Sequence, residues 1–326
     1  MSRIFDALQR SEWDRSGADT ADAAGGSEVL KQAELYAASE WAGAANGSEI
    51  LKQLDSKSNH SERSGPVVDE GKESASIPDL AALKAAELRH SFSQFKSLPI
   101  SLSPQSRLVC LTDRDSPTAE ALRLLAVRLR DHRRMKPLKK VLITSTIPQE
   151  GKSTIAGNLS CALSHASDER VLLIEGDLRR PSLTTMFGIE NAPGVCESLR
   201  DEGDPLRNIY HLEEASLWIL PAGKTRGNPL GFLQSSRLPA FMDQLAAYFD
   251  WIVIDSPPVL PLADTSIWMR VADGILLVTR VGTTQKHQLE KGLEALDSAK
   301  MLGALVNSSA TSAYSGYYYR GPEVTS

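Results

Sequence analysis

The sequence predicts an α/β fold in which a parallel sheet is covered by helices on both faces, preceded by a low-complexity N-terminal region. Short apolar runs rich in Val, Ile and Leu recur beyond residue 104, at 141–143, 171–174, 217–220, 251–254, 275–278 and 304–306. Helical stretches lie between most of these runs, at 153–165, 237–249, 262–271 and 285–300. Continuous apolar strands that alternate with helices are typical of a parallel sheet buried on both sides. We therefore expect ligands to bind beyond the carboxyl ends of the strands.

The first 104 residues differ in composition from the rest of the chain. They are rich in Ala, Ser, Gly and Glu, and they carry 11 Lys and Arg against 16 Asp and Glu, which accounts for the whole net charge of −5. Such a segment buries too little apolar surface to offset the entropy lost on ordering, so we expect residues 1–104 to be partly helical or disordered. The segment at 26–32 recurs at 47–53, either as a duplication within a linker or as a docking motif that folds on a partner.

Composition also excludes several kinds of protein. The three cysteines form no CxxC pair, which excludes a disulfide framework and a structural zinc site. No stretch approaches the roughly 20 apolar residues that cross a bilayer, and the N-terminus lacks the apolar run of a signal peptide. Residues 105–326 carry equal numbers of basic and acidic side chains, which argues against a nucleic-acid binder. We therefore expect a cytoplasmic protein that does not bind nucleic acid.

The strand at 141–143 leads into a loop whose sequence favours phosphate binding. The loop ends in Gly-Lys-Ser and precedes an Ala- and Leu-rich helix, while Thr146 occupies the position of the usual first glycine. Glycine lets backbone N–H groups wrap phosphates, the lysine neutralises the β- and γ-phosphates, and the serine hydroxyl binds Mg²⁺. The candidate nucleotide-binding residues are Pro148, Gln149, Glu150, Gly151, Lys152, Ser153 and Thr154.

Two further strands end in acidic residues at the same edge of the predicted sheet. The strand at 171–174 is followed by Glu175 and Asp177, and the strand at 251–254 is followed by Asp255, whose carboxylate can hold the Mg²⁺ shell. A single Asp at a strand end is more often a helix cap than a metal ligand. Several acid-tipped strands beside one Gly-Lys-Ser loop are difficult to explain as caps, so the sequence predicts a nucleotide site.

The C-terminus concentrates tyrosine in a segment that is poor in core-forming residues. Four of the seven tyrosines lie there beside Gly, Ser and Pro, namely Tyr314, Tyr317, Tyr318 and Tyr319. Terminal residues are usually mobile, so these phenols can reach a γ-phosphate. Phosphorylation would add about −1.5 to −2 charges at each site. The tail, which we place at 311–326, therefore favours a phosphoacceptor role over packing on the core.

Together these motifs resemble the bacterial tyrosine kinases, which are P-loop autokinases that govern capsular and extracellular polysaccharide export. The resemblance covers about residues 105–320, and we place the kinase domain at 105–310. It rests on the Gly-Lys-Ser loop, the acidic motif followed by Arg and Pro181, the Asp-x-Pro-Pro strand end and the terminal tyrosines. It implies a P-loop NTPase-like fold and transfer of the γ-phosphoryl group of Mg-ATP to the tail tyrosines in trans between subunits.

The resemblance also implies a role for each candidate residue. Matched by position, the base that accepts the phenol proton is Glu175, and Lys152 stabilises charge on the transferred group. The expected metal ligands are Ser153, Asp177 and Asp255. The family's Glu-x-x-Arg-x-x-Arg interface motif is present as Glu120 and Arg123, but Ala126 stands where the second Arg belongs.

The family's Asp is replaced here by Glu175, and one extra methylene can displace a carboxylate by about 1 Å. If Glu175 is a displaced base, Glu175→Asp should retain or raise autophosphorylation. Two other interpretations stay open at this point. A partition-type P-loop ATPase would carry an additional lysine near Ser145, which this chain lacks. A weakened nucleotide-binding regulator of a membrane partner would explain Glu175 and Ala126.

The resemblance further implies partners and a location. We expect a ring-like homo-oligomer, a separate transmembrane polysaccharide co-polymerase that activates the kinase, and a cognate tyrosine phosphatase. The protein would then be cytoplasmic and recruited peripherally to the inner face of the plasma membrane through that co-polymerase.

Overall fold

The computed structural model describes residues 92, 95–103, 106–165, 169–189, 192–201, 204–225 and 227–308. The predictions for the N-terminal repeats and for the tail tyrosines Tyr314, Tyr317, Tyr318 and Tyr319 lie outside these residues. No helix in these ranges is long and apolar enough to cross a membrane.

The described residues form one chain of alternating strands and helices. In order, these are β1 Lys96–Ser97, α1 Val109–Thr112, α2 Pro117–Met135, β2 Lys140–Ser145, α3 Lys152–His165, β3 Val171–Glu175, α4 Leu183–Phe187, α5 Val195–Arg200, β4 Tyr210–Leu212, β5 Leu217–Leu220, α6 Pro229–Leu233, α7 Arg237–Tyr248, β6 Trp251–Asp255, α8 Asp264–Val271, β7 Gly274–Arg280, α9 Lys286–Glu294 and β8 Met301–Asn307. Short 3₁₀ turns lie at Glu213–Ala215 and Ser298–Lys300.

All eight strands belong to one sheet with the order β1-β4-β5-β3-β6-β2-β7-β8. Every neighbouring pair is parallel except β4 and β5, which run antiparallel. The six strands expected from the apolar runs are all present, and the predicted fold class is confirmed. The sequence did not reveal β1 and β4, because strands of two and three residues are too short to show an apolar pattern.

The central strands bury both of their faces, as continuous apolar runs require. Since successive strand residues point to opposite faces, Val141 and Ile143 join the core cluster that includes α2 and α3, while Leu142 joins the cluster that includes α7 and α8. Within each cluster the strand side chains are almost completely excluded from solvent. The two clusters therefore hold the sheet between two layers of helices and fix the positions of its strand ends.

The folded part of the chain begins before the predicted domain start at residue 105. The ring of Phe92 lies 5.1 Å from that of Trp218 and 5.6 Å from that of Phe249, measured between centroids. The Leu98 amide donates to the carbonyl of His211 over 2.9 Å. These contacts attach Phe92 and residues 95–103 to the β4–β5 edge of the sheet.

Asn158 ties α3 to the chain that precedes it. Its side chain accepts a hydrogen bond from the Cys110 amide at 2.9 Å and donates to the Arg107 and Thr154 carbonyls at 2.8 and 2.9 Å. Because Asn158 is 1% exposed, Asn158→Ala would leave buried backbone groups without partners. We expect the free energy of unfolding, measured in urea, to fall by about 1–3 kcal/mol.

The matched control is Asn208→Ala, which removes a single hydrogen bond from the half-buried Asn208 to Ser198. This variant should lose less stability than Asn158→Ala. Equal losses in the two variants would contradict the role assigned to Asn158.

Candidate functional site

Two residues of the loop between β2 and α3 have a left-handed backbone conformation. Gln149 has a φ of 70° and Gly151 a φ of 94°, both in the left-handed region. A Cβ at Gly151 would collide with the side-chain amide of Asn307, so glycine is required there for space as well as for conformation. Thr146 has no positive φ, which explains why the chain can dispense with glycine at that position.

Glu150 supports this loop through its buried side chain. Its buried carboxylate accepts hydrogen bonds from the Ile147 amide at 2.8 Å and from the Thr284 hydroxyl, and its carbonyl accepts one from the Asn307 side chain at 2.9 Å. The other predicted loop residues line a cavity, namely Pro148, Gln149, Gly151, Lys152, Ser153 and Thr154. The Glu150 side chain therefore holds the loop in shape and is not part of the cavity wall.

The cavity in front of the loop has a volume of about 700 Å³ and lies at the carboxyl edge of the sheet. Its cationic lining residues are Arg107, Lys152, Arg179, Arg180 and Arg280. Asp177 is the only acidic side chain among the lining residues that the structure describes. A concave site with this excess of positive charge attracts polyanions, and a nucleoside triphosphate fits that description.

Lys152 joins two acidic strand ends at the floor of the cavity. Its Nζ lies 3.0 Å from Asp177 Oδ2 and 3.5 Å from Asp255 Oδ1, and it donates to the Ser153 hydroxyl over 3.2 Å. Burial lowers the pKa of Lys152, but the adjacent carboxylates of Asp255 and Asp177 raise it by more, so the net shift is upward. The structure thus brings three predicted site residues, Ser153, Asp177 and Asp255, together around the protonated Lys152.

Asp255 offers a site suited to a divalent cation. Both of its carboxylate oxygens are buried, and neither accepts a hydrogen bond from the residues that the structure describes. Burial raises the pKa of Asp255 to about 6, although Lys152 acts in the opposite direction. Mg²⁺ is usually held by one or two carboxylates together with substrate phosphates, and the buried hard oxygens of Asp255 near Ser153 and Lys152 fit that pattern.

The described residues contain no group of three or more His, Cys, Asp or Glu side chains placed to hold a metal ion. Mg²⁺ in this cavity would therefore depend on phosphate oxygens for several of its ligands.

Glu175 does not join the cavity, in contrast to the expectation that it acts there as a base. Its buried carboxylate accepts hydrogen bonds from the backbone amides of Leu183 at 2.6 Å, Thr184 at 3.2 Å and Ala222 at 3.1 Å. It is absent from the residues that line the cavity. The reason is reach, since the longer Glu side chain extends from the end of β3 to the start of α4.

The remaining arginines differ in how firmly they are held. Arg179 forms a two-point ion pair with the buried Asp264, at 2.6 and 3.2 Å. Arg280 makes a long contact of 3.5 Å with the carbonyl of Gln149. Sequence reasoning missed Arg107 and Arg280 as cavity residues. The position of Arg280 at the end of β7 could have indicated it, whereas no motif marks Arg107.

Asp255→Asn tests the cost of burying this carboxylate. An acid with a raised pKa destabilises the fold at pH values above its folded pKa, and this effect disappears below its unfolded pKa. With a pKa of about 6 against 3.8, the variant should melt a few degrees above the natural sequence at pH 8, and the difference should shrink toward pH 4. Calorimetry of the nucleotide-free proteins measures the two melting temperatures. A difference between them that stays constant from pH 4 to pH 8 would contradict the raised pKa of Asp255.

Comparison with known proteins agrees with the phosphate-binding loop seen in the structure. A protein-family model described as "ParA: NUBPL iron-transfer P-loop NTPase" matches residues 138–313, more than half of the chain. The BceF tyrosine kinase domain is a solved structure similar to this chain, with 28% identity and a TM-score of 0.55, covering 70% of this chain and 88% of that one. The residues matched by the family model include the phosphate-binding loop, Asp177 and Asp255.

Curated relatives are named as tyrosine kinases. Tyrosine-protein kinase YwqD of Bacillus subtilis (strain 168) is 34% identical over 219 residues, which cover 67% of this chain and 92% of that protein. Tyrosine-protein kinase ptk of Acinetobacter johnsonii is 32% identical over 204 residues, which cover 61% of this chain but only 27% of that protein. The chain therefore belongs to the bacterial tyrosine-protein kinase family, within the ParA-type P-loop NTPases.

Proposed function

We propose that this protein is an ATP-dependent protein-tyrosine autokinase that transfers the γ-phosphoryl group of Mg-ATP to the C-terminal tyrosines of a neighbouring subunit. The observation that carries the proposal is the position of Lys152, which lines the cationic cavity in front of the phosphate-binding loop and contacts both Asp177 and the buried Asp255. The tyrosine-rich C-terminus supplies the acceptor phenols. By family membership, the activity would regulate the synthesis and export of capsular or extracellular polysaccharide.

The loop and its lysine bind and orient the triphosphate. Backbone amides around Gly151 face the phosphates, and Lys152 moves from the two carboxylates toward the β- and γ-phosphate oxygens. Ser153 and Asp255 would hold Mg²⁺, and Asp177 would order the water around it. When bound, Mg²⁺ neutralises charge that builds up on the phosphate oxygens during transfer.

Asp177 is the group best placed to take the phenol proton. A bond forms between the tyrosine oxygen and the γ-phosphorus, the bond from that phosphorus to the β–γ bridging oxygen breaks, and ADP leaves. The phenol, with a pKa near 10, loses its proton to a base within reach, and Asp177 is the only carboxylate among the described cavity residues. Because phosphoryl transfer has a loose transition state, positioning and charge contribute more than the strength of this base.

Self-association would occur through the exposed face of α2. Arg123 pairs with Glu120 at 2.8 Å and donates to the Arg114 carbonyl at 2.7 Å, while Leu124 and Val127 are about half exposed beside them. Ala126, at the position of the family's second arginine, is 1% exposed and packs in the core. Position 126 therefore contributes no side chain to the exposed face of α2, whose charged residues include Glu120 and Arg123.

Recruitment to the membrane requires a second protein in this proposal. A transmembrane polysaccharide co-polymerase would hold the kinase at the inner face of the plasma membrane and activate it. A cognate tyrosine phosphatase would reset the tail by removing the negative charge that phosphorylation adds.

Phosphotyrosine formation tests the activity directly. The purified chain is incubated with Mg-ATP, alone and with the cytoplasmic segment of its membrane partner, and phosphotyrosine is measured by mass spectrometry. Lys152→Met should reduce the signal by about 10²–10³-fold, because it removes the charge that stabilises the transferred group. Changing Tyr314, Tyr317, Tyr318 and Tyr319 together to Phe should abolish tail phosphorylation.

Matched controls are Lys291→Met, at an exposed position on α9, and Tyr248→Phe, on α7, and both should behave as the natural sequence. ATP hydrolysis without phosphotyrosine would instead support a partition-type ATPase. Nucleotide binding without either reaction, with the partner segment present, would support a regulator that has lost catalysis.

Leu124→Asp tests the α2 face. Placing a charge on apolar contact surface should shift the protein toward monomer, with a dissociation constant raised at least about tenfold in sedimentation velocity. Leu293→Asp is the control, because Leu293 is 43% exposed on α9, away from this face. If both variants associate as the natural sequence does, the α2 face is not the interface.

A further inference from the structure

Glu175 is the last residue of β3 and directly precedes a loop that forms one wall of the cavity. We call residues 176–182 the acidic loop, since it follows Glu175 and carries Asp177. The loop starts at the end of β3 and finishes at Ser182, directly before α4. Asp177, Arg179, Arg180 and Ser182 line the cavity, so the position of this short segment decides where four potential ligand contacts lie.

The helix at the end of the acidic loop lacks a local cap. Ser182 occupies the N-cap position of α4, but its side chain accepts no hydrogen bond from the first turn. The first amides of a helix have no partners within the helix and are normally satisfied by such a cap. Here the Glu175 carboxylate accepts from the Leu183 and Thr184 amides at 2.6 and 3.2 Å, and it takes over the role from outside the helix.

The same carboxylate also fixes a third segment. Its second oxygen accepts from the amide of Ala222, in the turn that follows β5, at 3.1 Å. One buried side chain thus joins the end of β3, the start of α4 and the turn after β5. Its negative charge is favourable beside a helix N-terminus and is satisfied by three amide donors. An Asp in this position would be shorter by one methylene, and it would not reach all three amides.

Other contacts hold the acidic loop from its remaining sides. The Gly176 amide donates to the Asp255 carbonyl at 2.8 Å, and the Trp268 indole donates to the Gly176 carbonyl at 3.1 Å. The Arg180 amide donates to the Asp177 carboxylate at 3.0 Å. These contacts fix the beginning and middle of the loop, and only Glu175 links its beginning to its end among the contacts that the structure describes.

We infer that Glu175 is a positioning residue, which closes the acidic loop and places Asp177 and Arg180 toward the substrate, and that it does not accept the phenol proton. The inference rests on the proposed kinase function for its kinetic part. Its structural part, the three amide hydrogen bonds, stands independently of any activity.

The test compares Glu175→Gln and Glu175→Asp with the natural full-length chain. In Glu175→Gln one oxygen becomes an NH₂ group, which cannot accept from a backbone amide. Hydrogen exchange should therefore accelerate at least about tenfold either at Leu183 and Thr184, which share one oxygen, or at Ala222, which donates to the other. The kcat of autophosphorylation should fall by about 10²-fold, the scale expected for misplacement of about 1 Å. Glu175→Asp should show both effects and should not retain full activity.

The pH dependence of kcat separates positioning from proton transfer. If Asp177 is the base, the acid limb of the profile should persist in the residual activity of Glu175→Gln. The control is Glu197→Gln, because Glu197 similarly accepts from the amides of Gly194 and Lys224, at 2.8 and 3.0 Å, without lining the cavity. It should lower the melting temperature but leave kcat and exchange at the three amides unchanged.

Two results would overturn the inference. One is exchange at Leu183, Thr184 and Ala222 that stays as slow in Glu175→Gln as in the natural sequence. The other is loss of the acid limb in Glu175→Gln together with full activity in Glu175→Asp, which would make Glu175 the base. If Glu175→Gln does not fold, Glu175→Asp decides through the same measurements. If neither the natural chain nor any variant forms phosphotyrosine, the kinase proposal fails. The hydrogen-exchange result still tests the hydrogen bonds between Glu175 and the three amides.

Discussion

The parallel register of three neighbouring strands is the constraint on which the site depends. Glu175 pairs with Asp255 across β3 and β6, and Ile143 pairs with Asp255 across β2 and β6. Because parallel strands end at the same edge, this register places two carboxylates and the start of the phosphate-binding loop side by side. The two core clusters that cover the sheet make the register costly to change, since a slip of one residue would turn apolar side chains out of both.

This register also creates an electrostatic cost that the lysine offsets. A buried carboxylate without hydrogen bonds, as in Asp255, is stable only beside a compensating charge. Lys152 supplies that charge and pairs with Asp177 as well. The two carboxylates are therefore held next to Lys152 before any ligand binds, and the lysine alone changes partners when the triphosphate enters. Such preorganisation reduces the reorganisation needed when charge develops during reaction.

Much of this arrangement could be predicted from the sequence, and the failures have physical causes. Apolar runs revealed the six long strands, and acidic residues directly after them revealed Asp177 and Asp255. A strand position fixes the Cα of a residue but not the direction of a long side chain, which is why Glu175 was placed in the cavity by analogy and lies elsewhere in the structure. Arg107 could not have been found, because it enters the cavity from an irregular segment that is held by Asn158 through long-range hydrogen bonds.

At the end of β3 this chain has Glu175 where the family has Asp. This difference shows why matching residues by position is insufficient for assigning a catalytic role. Both side chains carry the same charge, yet the longer one reaches three backbone amides that a shorter one would leave unsatisfied. The oxygens of Glu175 accept from the amides of Leu183, Thr184 and Ala222, so its carboxylate is directed toward the backbone and not toward the cavity. Asp177 lines the cavity, and its carboxylate pairs with Lys152 and accepts from the Arg180 amide. Glu175 and Asp177 therefore differ in role, because backbone amides bind both oxygens of Glu175 while Asp177 faces the cavity.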